Sequence, residues 1–317
     1  MSRQLRIEFE NAYYHVMSCG NTRSRIFRDN DDRVKFISYL EETYRKFGIL
    51  IHSYCLLRNH YHLFIRTPQP SLCKAMHFIN ASYTKYYNSK YKRKGHLFAG
   101  RFRAILIDSD NYALTVSTYI HLNPVRAGII VQPWKYEWSS CFYFTGTDLE
   151  IPEFIDTSLI LEYFKGKNGG KNKAYLDYLT EKIGQNDKDP GELAEAGLIL
   201  GSEEFSNRIK NRYVKVLKKD RSIPAIGQLQ KDKNLIQMLW EQLKKFDWAS
   251  ENEKRKFSIF LLQKHTDANL AELQRLFPEL SVSGVSQAGR RMRISMEQDK
   301  TVQKRMEEIE KQILSIV

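Results

Sequence analysis

The residues best suited to chemistry lie in Arg58-Asn59-His60-Tyr61-His62-Leu63-Phe64-Ile65, where two histidines stand two apart in an apolar, strand-like run. Alternate residues of a strand share a face, so His60, His62 and Phe64 face one way and Tyr61, Leu63 and Ile65 the other. Two imidazoles aimed at one point can bind a single divalent ion in their neutral form. The alternative is a half-buried strand whose histidines only satisfy local hydrogen bonds, and the pair alone does not decide. A second chemical group comes later, in Tyr119-Ile120-His121-Leu122-Asn123-Pro124. Tyr119 and Asn123 are four apart and share a helical face, although Pro124 disfavours the α region for Asn123 and should loosen that last turn. A core tyrosine with Asn123 as a helix C-cap is the other reading.

The elements that must position these groups follow from pattern. Ala12 to Met17 reads as a first strand ended by Cys19-Gly20-Asn21. Apolar residues from Val34 to Phe47 recur at helical spacing, with Asn30 or Asp31 as cap and Gly48 as stop. Ile49–Leu57 and Tyr61–Thr67 are two further strands, the second closed by Pro68 and Pro70. A helix over Ser71 to about Tyr91 and a strand over Phe102–Ile107 complete the order strand, helix, strand, strand, helix, strand, and a third helix follows over Asn111–Leu122. That order is the split βαβ pattern, an antiparallel sheet with helices on one face. The fold class is therefore α+β: a ferredoxin-like antiparallel-sheet domain over 1–150, a helical extension and linker over 151–225, and an all-helical domain over 226–317.

Charge points to a polyanion. The 317 residues carry a formal net charge of +13, with a pI of about 9.4, which favours nucleic acid because phosphate neutralisation releases counterions. Between Lys85 and Arg103 lie Lys85, Lys90, Lys92, Arg93, Lys94, Arg101 and Arg103 without one acidic residue, interleaved with Tyr86, Tyr87, Tyr91, Phe98 and Phe102. Such a stretch can follow a phosphate backbone while its rings stack on unpaired bases. The four cysteines form no C-x-x-C pair, Met1–Arg6 has no apolar run of the signal-peptide kind, and no eighteen apolar residues are consecutive. These features suit a soluble, cytoplasmic, reduced protein with no membrane partner.

The last ninety or so residues carry four helical patterns, Leu229–Phe246, Glu253–Lys264, Leu270–Phe277 and Ser283–Met296. The third and fourth, across a short turn with Arg290, Arg291 and Arg293 on the later one, suit a helix-turn-helix entering a major groove. A helical packing or dimerisation module is the alternative. Before them, Lys165–Lys171 is a Gly-rich linker, and Ile199 to Phe205 reads as a loop into a helix capped by Ser202.

Taken in order, Tyr14-His15-Val16, Leu57 to Leu63, Gly95-His96-Leu97-Phe98-Ala99-Gly100-Arg101-Phe102 and Tyr119 to Gly128 resemble the successive motifs of the REP-associated tyrosine transposases, relatives of the HUH single-strand nucleases. The resemblance spans roughly residues 8 to 146. It implies metal-dependent cleavage and strand transfer of single-stranded or hairpin DNA through a 5′-phosphotyrosine, with Mg²⁺ or Mn²⁺ as cofactor. Tyr119 would be the nucleophile, and His60, His62 and Asn123 would hold the metal; His15, His96 and His121 read as structural rather than as proton shuttles. From about Glu251 to Gln312 the chain resembles the DNA-binding domain of the replication initiator DnaA, implying contact with duplex DNA, yet Ser281-Val282-Ser283-Gly284 stands where that domain carries its base-reading signature. A homodimer is compatible with all of this. The rival functions are a replication initiator or relaxase-type nickase, and a non-catalytic DNA-binding regulator.

Overall fold

The computed structural model describes residues 5–146, 150–185, 188–215, 217, 223, 225–226, 229, 233–248, 250–266, 268 and 270–314. The ends of the expected 1–150 and 226–317 stretches, and the start of the helix expected over 229–246, lie in part outside them. The chain divides into two compact units, Met1–Val216 and Leu217–Val317.

The first unit is built on strands β1 (Ala12–Cys19), β2 (Leu50–Leu57), β3 (His60–Thr67) and β4 (Arg103–Ile107), joined by a two-residue strand β5 (Ile199–Leu200). Their order is β2-β3-β1-β4-β5. The first four pair antiparallel, as the split βαβ pattern requires, and β5 adds in parallel to β4. Sequence analysis reads β5 as loop, because two residues are too few for a periodicity to show.

Helix α1 (Asn30–Phe47) starts at a capping box of Asp29 and Asp32 and stops at Gly48, whose φ of 67° suits a residue without a side chain. The cap is thus Asp29, one residue before those expected. With α2 (Leu72–Lys90), α1 covers the Tyr61, Leu63 and Ile65 face: the Phe36 and Tyr61 rings are 4.9 Å apart, and the Tyr61 hydroxyl donates to Asn80 Oδ1 at 2.8 Å.

Helix α3 (Ser109–Arg126) lies on the opposite face, where Val116 and Ile120 join Phe64, Ile105 and Ile107 in one cluster. The two helices of the split βαβ pattern thus share one face, and α3, which follows that pattern, covers the other. The reason is in β3 itself, whose His62 and Phe64 are buried like the residues of its other side and need their own cover. Two short helices, α4 (Ser158–Leu161) and α5 (Lys171–Lys182), extend that cluster through Ile160, Tyr175 and Leu179. The unit ends with α6 (Pro190–Leu193) and α7 (Glu203–Ile209), the latter capped by Ser202.

The second unit has α8 (Lys233–Lys245), α9 (Glu251–His265), α10 (Leu270–Leu276), α11 (Val282–Gln298) and α12 (Lys300–Leu314). Its core unites Leu243, Ile259, Leu262, Leu273, Val285 and Met306. Gly289 of α11 faces α9 so closely that a Cβ there would meet Gln263 Oε1 at 2.1 Å. Four of these helices match the expected ones within a few residues, and α12 is a fifth. Among the described residues no helix is long and apolar enough to cross a membrane.

Candidate active site

Strand pairing brings the chemical groups together. His62 of β3 lies opposite Met17 and His15 of β1 lies opposite Phe64, so both imidazoles share the α3 face. His15 Nε2 and His62 Nδ1 are 3.0 Å apart, and His60 Nδ1 is 2.7 Å from Asn59 Oδ1. The His60 and His62 rings are 5.1 Å apart.

Tyr119 comes down from α3 of the same chain. Its ring meets His62 and His15 edge-on, with centroids 5.8 and 6.0 Å away, and the Arg126 guanidinium lies 4.8 Å over it. The helix runs on through Pro124 to Arg126, further than the expected end at Leu122, and keeps Tyr119 and Asn123 on one face. Two side-chain donors catch the Tyr119 carbonyl, Asn123 Nδ2 at 3.0 Å and Arg126 Nη1 at 3.1 Å.

A buried polar network holds α3 in place. His121 Nδ1 is 2.6 Å from the Tyr175 hydroxyl and its Nε2 is 2.9 Å from Ser140 Oγ, while Ser117 and Ser53 are joined at 2.6 Å. Burial pushes the His121 imidazole down to about 3, so it is neutral and structural. Ser140 belongs to a closing segment that lies along β2, where Leu56 N donates to the Trp138 carbonyl at 2.8 Å.

The histidine pair meets the chemical demands of a divalent ion. Burial lowers the pKa of His60, and burial followed by the neighbouring His15 and His60 lowers that of His62 well below its usual value, so both are the neutral ligand form. In each ring Nδ1 faces a hydrogen-bond partner, which leaves Nε2 as the ligand atom. Among the described residues no three His, Cys, Asp or Glu side chains converge as a metal set. The remaining donor would be an amide, Asn123 Oδ1, since Asn123 Nδ2 is already used.

Two residues at this site escape sequence reasoning. His15 is treated there as merely structural, and its partner becomes visible only in the β1–β3 register. Asp189 comes from the stretch read there as helical extension and linker. Its Oδ2 accepts from the Tyr119 hydroxyl at 2.6 Å, and its Oδ1 accepts from Gly191 N at 2.6 Å. Burial, then the Asp189 carboxylate, raises the Tyr119 pKa well above the usual phenol range. Burial also pushes His15 down to about 4, with Asp189 opposing and Arg103 adding to the shift.

The basic stretch differs in part from expectation. Lys85, Lys92, Lys94, Arg101 and Arg103 are exposed, and Arg93 is half-buried over the Tyr87 ring. Tyr87, Phe98 and Phe102 are buried core residues and are not available to stack on bases. Lys90 is bound to Asp29 at 2.8 Å and Asp32 at 3.1 Å, and Tyr91 donates to the same two carboxylates. The stretch is acid-free in sequence but not in space. His96 is exposed, and the backbone on either side of Phe98 bonds to Cys19 and Asn21 at the end of β1. Arg290, Arg291 and Arg293 are exposed on α11 of the second unit, away from its buried Val285, Gly289 and Met292.

The sheet, its cover of three helices and the meeting of paired imidazoles with a helical tyrosine form one site in the first unit. Residues 8–123 match the family model described as Transposase IS200 like. A solved structure described as a REP-associated tyrosine transposase bound to a REP hairpin is similar at 18% identity, covering 50% of this chain and 96% of that one with a TM-score of 0.39. No curated protein matches.

Proposed function

We propose that the protein is a tyrosine transposase that cleaves and rejoins single-stranded, hairpin-bearing DNA. The observation that carries this is the Tyr119 ring seated within 5.8 Å of His62 of its own chain, in a segment that matches the transposase family model. Tyr119 Oη attacks the scissile phosphorus, and the bond to the 3′ oxygen breaks. The products are a 5′-phosphotyrosine and a free 3′-hydroxyl, and attack by another 3′-hydroxyl reverses the step without ATP. His60, His62 and Asn123 would hold Mg²⁺ or Mn²⁺, which supplies polarisation of the phosphate and offsets charge on its oxygens.

In this reading Lys85, Lys92, Arg93, Lys94, Arg101 and Arg103 track the strand entering the site, and Arg290, Arg291 and Arg293 dock the second unit on duplex DNA. That unit's resemblance to the DnaA DNA-binding domain supports the second assignment. Work on DNA suits a cytoplasmic protein, and a replication nickase of the same chemistry is the enzymatic rival.

The test is a labelled single-stranded oligonucleotide carrying a hairpin. A covalent adduct is expected from the unmodified protein and none from Tyr119→Phe, whose DNA affinity should be nearly unchanged. Transfer of label to a second oligonucleotide favours transposase over nickase. An adduct of equal yield from the phenylalanine variant would remove Tyr119 from the mechanism.

A further inference from the structure

We propose that Asp189 is a catalytic residue, the acceptor of the Tyr119 proton as that hydroxyl bonds to phosphorus. The inference rests on the reading of Tyr119 as nucleophile. The group that receives the hydroxyl hydrogen bond is the Asp189 carboxylate, at 2.6 Å. The histidines do not compete for that proton, because His15 and His62 approach the edge of the ring and bond to each other. Arg126 lies over the ring face and has no acceptor to offer.

The carboxylate is also held still. Asp189 is the N-cap of α6, and the bond from Gly191 N fixes Oδ1 while Oδ2 faces Tyr119. Pro190 between them has no N–H to draw the carboxylate elsewhere, and Gly191 keeps the approach open, since a Cβ there would stand 3.0 Å from Oδ1. Arg103 reaches the same loop, its Nη2 lying 3.8 Å from that Cβ position. A cation therefore stands where a negatively charged DNA strand would otherwise meet an uncompensated carboxylate.

The Tyr119 hydroxyl already donates to Asp189 Oδ2, so its proton has a fixed acceptor as the Oη–P bond forms. In that step the P–O3′ bond breaks, its electron pair stays on the 3′ oxygen, and that oxygen takes a proton from solvent. The Tyr119 proton moves to Asp189 Oδ2. On reversal a 3′-hydroxyl attacks the phosphotyrosine and gives its proton to solvent, the Oη–P bond breaks with its electron pair on Oη, and Asp189 returns its proton to that oxygen.

The experiment follows adduct formation in a single turnover of the full chain, with a hairpin oligonucleotide and Mn²⁺, for the unmodified protein, Asp189→Asn, Asp189→Glu and Tyr119→Phe. Asparagine also caps helices well, so Asp189→Asn should keep α6, its melting temperature and its oligonucleotide affinity. Its adduct rate should fall about 10²–10⁴-fold, and Asp189→Glu should recover at least a tenth of the native rate. An Asp189→Asn rate equal to or above the native one overturns the proposal and makes the carboxylate a cover over the nucleophile. A failure of the glutamate variant to exceed the asparagine variant also counts against it. If the phenylalanine variant reacts like the native protein, or the native protein forms no adduct, the underlying reading fails instead, and Asp189 loses its role with it.

Discussion

His15 Nε2 lies 3.0 Å from His62 Nδ1 across the β1–β3 pair, which makes His15 the partner that orients a prospective metal ligand from behind. Both rings are buried, so removing His15 leaves His62 Nδ1 without its partner in an apolar place. His15→Ala should weaken Mn²⁺ binding about 10–100-fold, measured by titration calorimetry, and lower stability by about 1–3 kcal/mol in urea unfolding. Unchanged Mn²⁺ affinity would show that the ion does not use His62.

The end of α2 is tied to the start of α1 through Lys90, and this tie has a defined pH signature. The hydrogen bond from Lys90 holds the Asp29 carboxyl down to about 2, below its ordinary 3.8. A carboxyl depressed in the folded state binds fewer protons there than in the unfolded chain. The stability it adds is complete above pH 3.8 and fades as pH falls toward 2. Lys90→Met should therefore flatten the pH dependence of the urea midpoint in that window relative to the native protein. Parallel curves would mean that the pair contributes nothing measurable, as exposed ion pairs often do.

Much of this was written locally in the chain. The β1 to α3 order follows from apolar periodicity, and the His60–His62 and Tyr119–Asn123 spacings state which side chains share a face. What was not legible depends on distant partners. Asp189 is seventy residues from Tyr119 and carries only a helix-cap signal. His15 gains its role from strand register, and the acid-free look of Lys85 to Arg103 hides Asp29 and Asp32, which arrive from α1. Tyr87, Phe98 and Phe102 alternate with basic residues as a nucleic-acid surface would, yet burial claims all three.

With those rings withdrawn, the proposed DNA contact of this stretch falls to its exposed cations and the phosphates they would meet. Replacing Lys92, Lys94 and Arg101 together by alanine should weaken hairpin binding regardless of loop sequence. It should also reduce the slope of log affinity against log salt by about 2, at roughly 0.7 per lost single-strand phosphate contact. Fluorescence anisotropy at several salt concentrations measures both. A slope identical to that of the native protein would move the DNA path off this loop.

The arginines of α11 allow the two units to be assigned separate DNA. Arg290, Arg291 and Arg293 are exposed, while Val285, Gly289 and Met292 of the same helix pack into the core, so the substitutions leave the packed side intact. Surface changes of this kind shift stability by at most about 0.5 kcal/mol, and any binding loss then reports on contact with DNA. Changing all three to alanine in the full chain should weaken binding of duplex DNA flanking the hairpin about tenfold or more, at roughly 1–3 kcal/mol for each base-reading arginine. Adduct formation on a short hairpin without flanking duplex should be unaffected, since in the proposed reading that substrate engages the first unit alone. If both activities fall together, the arginines serve the cleavage substrate itself; if neither does, α11 is a packing helix whose charged side meets only solvent.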